Sequence, residues 1–164
     1  MGRKSPTKTK RAMVEIQIDY EGQLRCSSQH MPSGTKIETD APVDNLGRGE
    51  SFSPTDLVAT ALGTCMATII GITARHKNIE VRGMRVIVKK EISADLPRRI
   101  AKLWVEVFMP LNEAHPDKKI FQSAALSCPV QHSIHPEIQV NMTWHWEPET
   151  AAPAHPQDAG WTGS

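Results

Sequence analysis

Residues 53–76 read SPTDLVATALGTCMATIIGITARH, and the reading of this stretch decides the fold. Ser53 suits the N-cap of a helix, Pro54 its first position, and Asp56 the acidic third position of a capping box. The spacing predicts a helix from Pro54 to about His76, with Asn78 as its stop. Leu57 to Ala74 carries no charge over 18 positions, the lower edge of the length that spans a membrane. Four Thr and two Gly dilute its hydrophobicity, so a core helix of a globular protein is expected rather than a membrane segment. At about 100° per residue, Leu57, Val58, Ala61, Leu62, Cys65, Ile69 and Ile72 share one broad face, which is the predicted core side. Cys65 falls near its middle. The other side carries Thr60, Gly63, Thr64, Ala67 and Gly71, small enough to admit a second backbone. A helix with no charged face offers no side to water, and in so small a chain this points to a partner subunit.

Outward from the helix the periodicity is mostly that of strands. Residues 13–19 and 23–29 are expected to pair as a hairpin around Glu21-Gly22, and 35–40 follows the turn Pro32-Ser33-Gly34. Ala41 to Ser51 is a polar loop with Gly47 and Gly49. Beyond the helix come strands over 81–92 and 99–109. In the second, Ala101, Leu103, Val105, Val107 and Met109 alternate with Lys102, Trp104, Glu106 and Phe108. Pro116 opens a helix ending near Ser127. Pro129 starts a short helical piece that stops at His135-Pro136, and 138–146 is a last strand. Strands in blocks around helices predict an α+β fold with antiparallel sheets rather than a parallel βαβ one.

The length of 164 residues suits one domain with tails. Residues 1–12 and 147–164 are rich in Pro, Gly, Ala and charge and read as disordered tails around a domain at 13–146. Residues 1–11 hold five of the 19 basic residues and 147–164 hold three of the 18 acidic ones. The domain between them is near neutral, so neither nucleic acid nor an anionic membrane is expected as a partner. Aromatics, at 5%, are too few for a base-stacking surface.

Three widely spaced cysteines, Cys26, Cys65 and Cys128, do not make a secreted disulfide scaffold. A reducing cytoplasm is the expected compartment, where paired cysteines are catalytic or metal-binding more often than structural. Cys128 precedes Pro129 at the start of a helical piece, where backbone N–H groups and the helix dipole favour a thiolate. Cys65 lies three turns inside its helix, beyond the dipole's reach, and needs another positive partner. Cys26 reads as packing. Both helix-associated cysteines also suit a plain role as small buried hydrophobes. Cys128, His132 and His135 would align on one helical face as metal ligands, which leaves a metal site open as a rival.

Ser53-Pro54-Thr55-Asp56-Leu57 with Ala61-Leu62-Gly63-Thr64-Cys65-Met66, and Ser127-Cys128-Pro129-Val130 with Ser133-Ile134-His135-Pro136, resemble the two cysteine motifs of the OsmC/Ohr family. The resemblance extends over roughly residues 13–146. It implies an intertwined α+β homodimer with thiol sites at the subunit interface and no cofactor. It also implies reduction of organic hydroperoxides, with Cys65 as the peroxidatic cysteine and Cys128 the resolving one. A dithiol, typically lipoyl-linked, would then reduce the resulting disulfide. The peroxidase branch has a Glu after the Pro of the cysteine helix, paired with an Arg that holds the thiolate, and Thr55 occupies that position here. Arg25 is the candidate Arg, with Glu50 or Asp56 to orient it, and Arg48 is the second choice. An OsmC-like binding protein without turnover and thioesterase-like thiol chemistry are the alternatives.

Overall fold

A computed structural model describes residues 13–147, so the expected tails lie outside the described residues apart from Glu147. The chain divides into two compact units, one up to Pro54 and the other from Thr55 onward.

The first unit is an antiparallel sheet of β1 (Ile16–Gly22), β2 (Arg25–His30) and β3 (Lys36–Asp40), in that order. The hairpin turn falls on Gln23 and Leu24, two residues later than Glu21-Gly22. Both have positive φ, at 51° and 65°, as a two-residue turn matched to strand twist requires. Tyr20 contributes by accepting the Leu24 N–H at its hydroxyl, 3.3 Å away. A loop from Ala41, containing a 3₁₀ turn at Val43–Asn45, returns to the sheet through a bridge between Thr39 and Phe52.

The second unit opens with α1 (Pro54–His76), which has the predicted bounds. There follow β4 (Arg85–Ile92), β5 (Ile100–Met109), α2 (Lys118–Leu126), α3 (Pro129–Ser133) and β6 (Gln139–Trp146). The sheet order is β4-β5-β6, with β4 and β5 antiparallel but β5 and β6 parallel. The fold class is α+β as expected, and the correction is that this sheet is mixed. The physical reason is the connection: α2 and α3 lie between β5 and β6, and a crossover of that length brings the chain back in the same direction. Leu103, Val105, Val107 and Met109 of β5 are buried, with Trp104 on the outer face, as the period of two predicts.

The buried face of α1 differs from the predicted one by about a third of a turn. Ala59, Leu62, Gly63, Met66, Ile70 and Ala74 are buried, whereas Ala61 and Ile72 are exposed and Cys65 sits on the flank. Size explains the rotation. A Cβ on Gly63 would stand 2.8 Å from Val88 Cγ2 and 3.5 Å from Val86 Cγ1. The helix therefore meets β4 at Gly63, with Leu62, Met66 and Ile70 buried around that contact. The outer side carries Thr60, Ala61, Thr64, Thr68 and Ile72. Thr60, Thr64 and Thr68 each donate a hydroxyl to the carbonyl four residues back, at 2.7–2.9 Å. Their hydroxyls are thus spent within the helix, which leaves the outer side poor in available polar groups.

Candidate thiol site

Cys65 and Cys128 reach the same place from different elements. α1 brings Cys65 to the edge of its buried stripe, where it is half-buried. Cys128 follows α2 and precedes Pro129, the first residue of α3, and has no exposed surface. The Cys128 backbone N–H bonds the Ala125 carbonyl at 3.2 Å, and the His132 N–H returns to the Cys128 carbonyl at 3.3 Å. This anchors the cysteine on both sides. Its thiol lies close enough to Cys65 for the two to interact electrostatically.

Burial pushes the Cys128 thiol above its ordinary value of 9.0, and its interaction with Cys65 adds to the rise. The N–H groups of Gln131 and Val130 pull the other way. They do not win, because α3 has only five residues and no side-chain hydrogen bond caps it at Cys128. The helix-start N–H groups thus favour the Cys128 thiolate as expected, but desolvation outweighs them and the net direction is upward.

Arg25 stands on β2 with Nη1 2.7 Å from Glu50 Oε2 and Nη2 3.5 Å from Glu38 Oε2. Arg48 donates to Gln23 Oε1 at 2.8 Å. Asp56 has its own cation: Lys90 Nζ lies 2.6 Å from Asp56 Oδ1 and 2.7 Å from Thr55 Oγ1. Of the two acids offered to Arg25, Glu50 takes it and Asp56 bonds Lys90. Cys26 lies on β2, opposite Tyr20 and Thr39 in register.

Among the described residues no group of three or more His, Cys, Asp and Glu is placed to hold a metal ion. Cys128, His132 and His135 do not share a helical face, because α3 ends at Ser133 and Ile134 is already extended. His135 Nδ1 instead accepts the Glu137 N–H at 3.3 Å.

Two residues escaped the sequence reading. Lys90 follows Val86 and Val88 at every second position, so it occupies the helix-facing side of β4. A charge breaking an apolar alternation was the available signal. Asp40 is buried at the end of β3. Its signal, an acid entering a Gly-containing loop, is too common to stand out.

A buried cysteine beside a second one on a long central helix defines a class of two-cysteine α+β proteins. The chain belongs to the family of OsmC-like proteins, which it matches over residues 47–143. It is similar to a solved structure from Psychrobacter arcticus 273-4 named for osmotic stress induction and a detoxification response. That likeness has 44% identity and a TM-score of 0.77 and covers 82% of this chain and 98% of the other. Organic hydroperoxide resistance proteins share the fold at lower identity. One from Elizabethkingia anophelis has 15% identity, a TM-score of 0.69 and coverage of 85% and 99%. One from Legionella pneumophila has 13% identity, a TM-score of 0.68 and coverage of 84% and 99%. Among curated proteins nothing matches.

Proposed function

We propose that this chain is a thiol-dependent, peroxidase-like redox protein acting on organic hydroperoxides. The observation that carries the reading is the approach of Cys65 on α1 and the fully buried Cys128 to within interaction range of each other. A Cys65 thiolate attacks the terminal oxygen of ROOH, the O–O bond breaks, and ROH leaves once a proton is supplied. Cys65 is then a sulfenic acid, oxidised by two electrons. The Cys128 sulfur attacks it, a Cys65–Cys128 disulfide forms, and water departs with the hydroxyl and the thiol proton. A dithiol, with a lipoyl-linked one as the expected class, takes the disulfide back to two thiols and becomes a disulfide itself. Arg25, oriented by Glu50, supplies the positive charge that a half-buried thiolate needs. Asp56, with Lys90, holds the first turn of α1.

The working form is a homodimer in a reducing, cytoplasmic compartment. The uncharged outer side of α1 and the exposed aliphatics of β1 support a second copy as the covering partner. Thiol titration with and without cumene hydroperoxide, followed by mass spectrometry, tests the reading. The expected product is a Cys65–Cys128 disulfide. Cys65→Ser abolishes peroxide consumption, and Cys128→Ser leaves Cys65 as a sulfenic or sulfinic acid after one oxidation. An unreactive Cys65 overturns the peroxidase in favour of a binding role, and full turnover in Cys65→Ser overturns the assignment of roles.

A further inference from the structure

Asp40 is a fully buried carboxylate in a unit that has no other buried charge among its described residues. Its Oδ2 accepts the backbone N–H of Glu50 at 2.9 Å, and this bond does most to hold the carboxyl below its ordinary value of 3.8. Burial opposes it, and the Arg48 N–H, the Arg25 charge and the Ala41 N–H add to it. Oδ1 has no hydrogen bond of full geometry, so those two N–H groups act on the carboxylate less directly.

The loop it gathers is Ala41 to Ser51. The Asp40 N–H donates to the Phe52 carbonyl at 3.1 Å, and the Gly49 N–H to the Ala41 carbonyl at 3.2 Å. A Cβ on Gly47 would overlap the Ala41 carbonyl, so the loop closes over Ala41 only because that position is glycine. From the closed loop two side chains reach the β1–β2 hairpin, Arg48 to Gln23 and Glu50 to Arg25. Arg25 has a second carboxylate at hand in Glu38, 3.5 Å away on β3. Whether the short Glu50 contact joins Glu38 on the guanidinium is thus decided by where the loop puts Glu50.

We propose that Asp40 is a positioning residue for Arg25: it gathers the loop's backbone N–H groups and so sets Glu50 on the guanidinium beside Glu38. The use of this arrangement, a fixed positive charge for the Cys65 thiolate, rests on the peroxidase reading; the clasp itself does not. Groups charged at neutral pH that face the arrangement are Asp40, Glu50 and Arg48 from β3 and the loop, Arg25 from β2 and Glu38 from β3.

The test uses the full chain with Asp40→Asn, which keeps the shape and removes the charge. Amide exchange at Arg48 and Glu50, read by NMR, is expected to quicken by about tenfold or more while β5 amides hold. The rate of Cys65 alkylation at pH 7 is expected to fall about threefold or more, with its pH midpoint moving up. In a Glu50→Gln background, Asp40→Asn should move that midpoint no further, although it still lowers the melting temperature. Gly47→Ala, which crowds the loop without altering a charge, should reproduce the alkylation shift and decides the matter if Asp40→Asn does not fold. Unchanged exchange at Arg48 and Glu50 overturns the clasp. An equal midpoint shift in wild-type and Glu50→Gln backgrounds makes Asp40 a merely structural residue and overturns the positioning role. If Arg25→Ala leaves alkylation unchanged, the thiolate role of Arg25 fails alone. The clasp then stands if the Arg25 guanidinium resonance loses its Glu50-dependent shift in Asp40→Asn, and falls if it keeps it.

Discussion

From Thr55 onward the fully buried side chains among the described residues are apolar, and they include Leu62, Met66, Ile70, Leu103, Val107 and Phe121. Up to Pro54 the buried side chains are Thr39, Asp40 and Ser53, all polar. The aliphatic residues of the first unit are on its surface instead, with Ile16, Ile18 and Tyr20 of β1 exposed to 58%, 63% and 66%. One unit is organised by removal of apolar surface from water. The other is organised by hydrogen bonds around a carboxylate, and it leaves an apolar sheet face open. A three-stranded sheet with that face uncovered is marginal in water, which is the physical argument for a covering partner.

The contrast breaks first on core truncation. Leu103→Ala empties a fully buried position on β5 and should cost about 2–5 kcal/mol. Ile18→Ala removes a side chain that its own chain leaves exposed and should cost less than about 1 kcal/mol in the monomer. Urea unfolding followed by tryptophan fluorescence checks both, and equal costs would remove the distinction between the units. The proposed dimer sharpens it further if the second copy covers β1. Ile18→Glu then places a charge in an apolar interface and should weaken association by about tenfold or more, seen by sedimentation, with little change in the circular dichroism of the chain.

How legible this was depended on what each feature required. The ends of α1, the alternation of β5 and the punctuation by Pro129 and Pro136 are local, and the sequence carried them at the right residues. The parallel pairing of β6 was not legible, because the choice of edge and direction depends on how the crossover packs. The rotation of α1 was missed for a related reason. Hydrophobicity singles out Leu57, Ile69 and Ile72, but close packing on β4 rewards the absence of a side chain at Gly63. The two helix-associated cysteines and the acids near Arg25 were visible as candidates. Which acid bonds which cation was not, since Lys90 and Glu38 enter only through strand register.

Gly63 gives a finer test of the same packing. Replacing a helical glycine by alanine gains up to about 1 kcal/mol of helix propensity, but here the new Cβ meets Val88. Overpacking of this kind costs about 1–3 kcal/mol, so Gly63→Ala should be net destabilising by about 1 kcal/mol. The added methyl is accommodated once Val88→Ala makes room, so the pair should cost clearly less than the sum of the singles. Simple additivity would show that α1 does not rest on β4 through Gly63.

Acid and alkali should weaken different units, and this is the smallest of the expected effects. Asp40 titrates below its ordinary value of 3.8 in the fold, mainly through the Glu50 N–H. Its contribution is therefore present above that value and is lost as pH falls through the lower folded one. Asp95, held down first by its hydrogen bond to Arg99, and Glu106, by that to Lys89, act with the same sign in the second unit. Both are solvent-accessible pairs and contribute little. Cys128 has the opposite sense. Its folded value is raised above 9.0, chiefly by burial, so its contribution is full below about 9 and is lost as pH rises through the folded value. Amide signals of Arg48 and Glu50 should accordingly broaden or exchange first as pH falls below the ordinary carboxylate value of 3.8, while the β5 amides persist. Above about pH 9 the order reverses, and the residues around Cys128 should loosen before the hairpin. Cys128→Ala removes the buried thiol and should flatten the alkaline limb of the stability curve without moving the acid one, and a variant that moves both limbs equally would tie the two units into a single titrating structure.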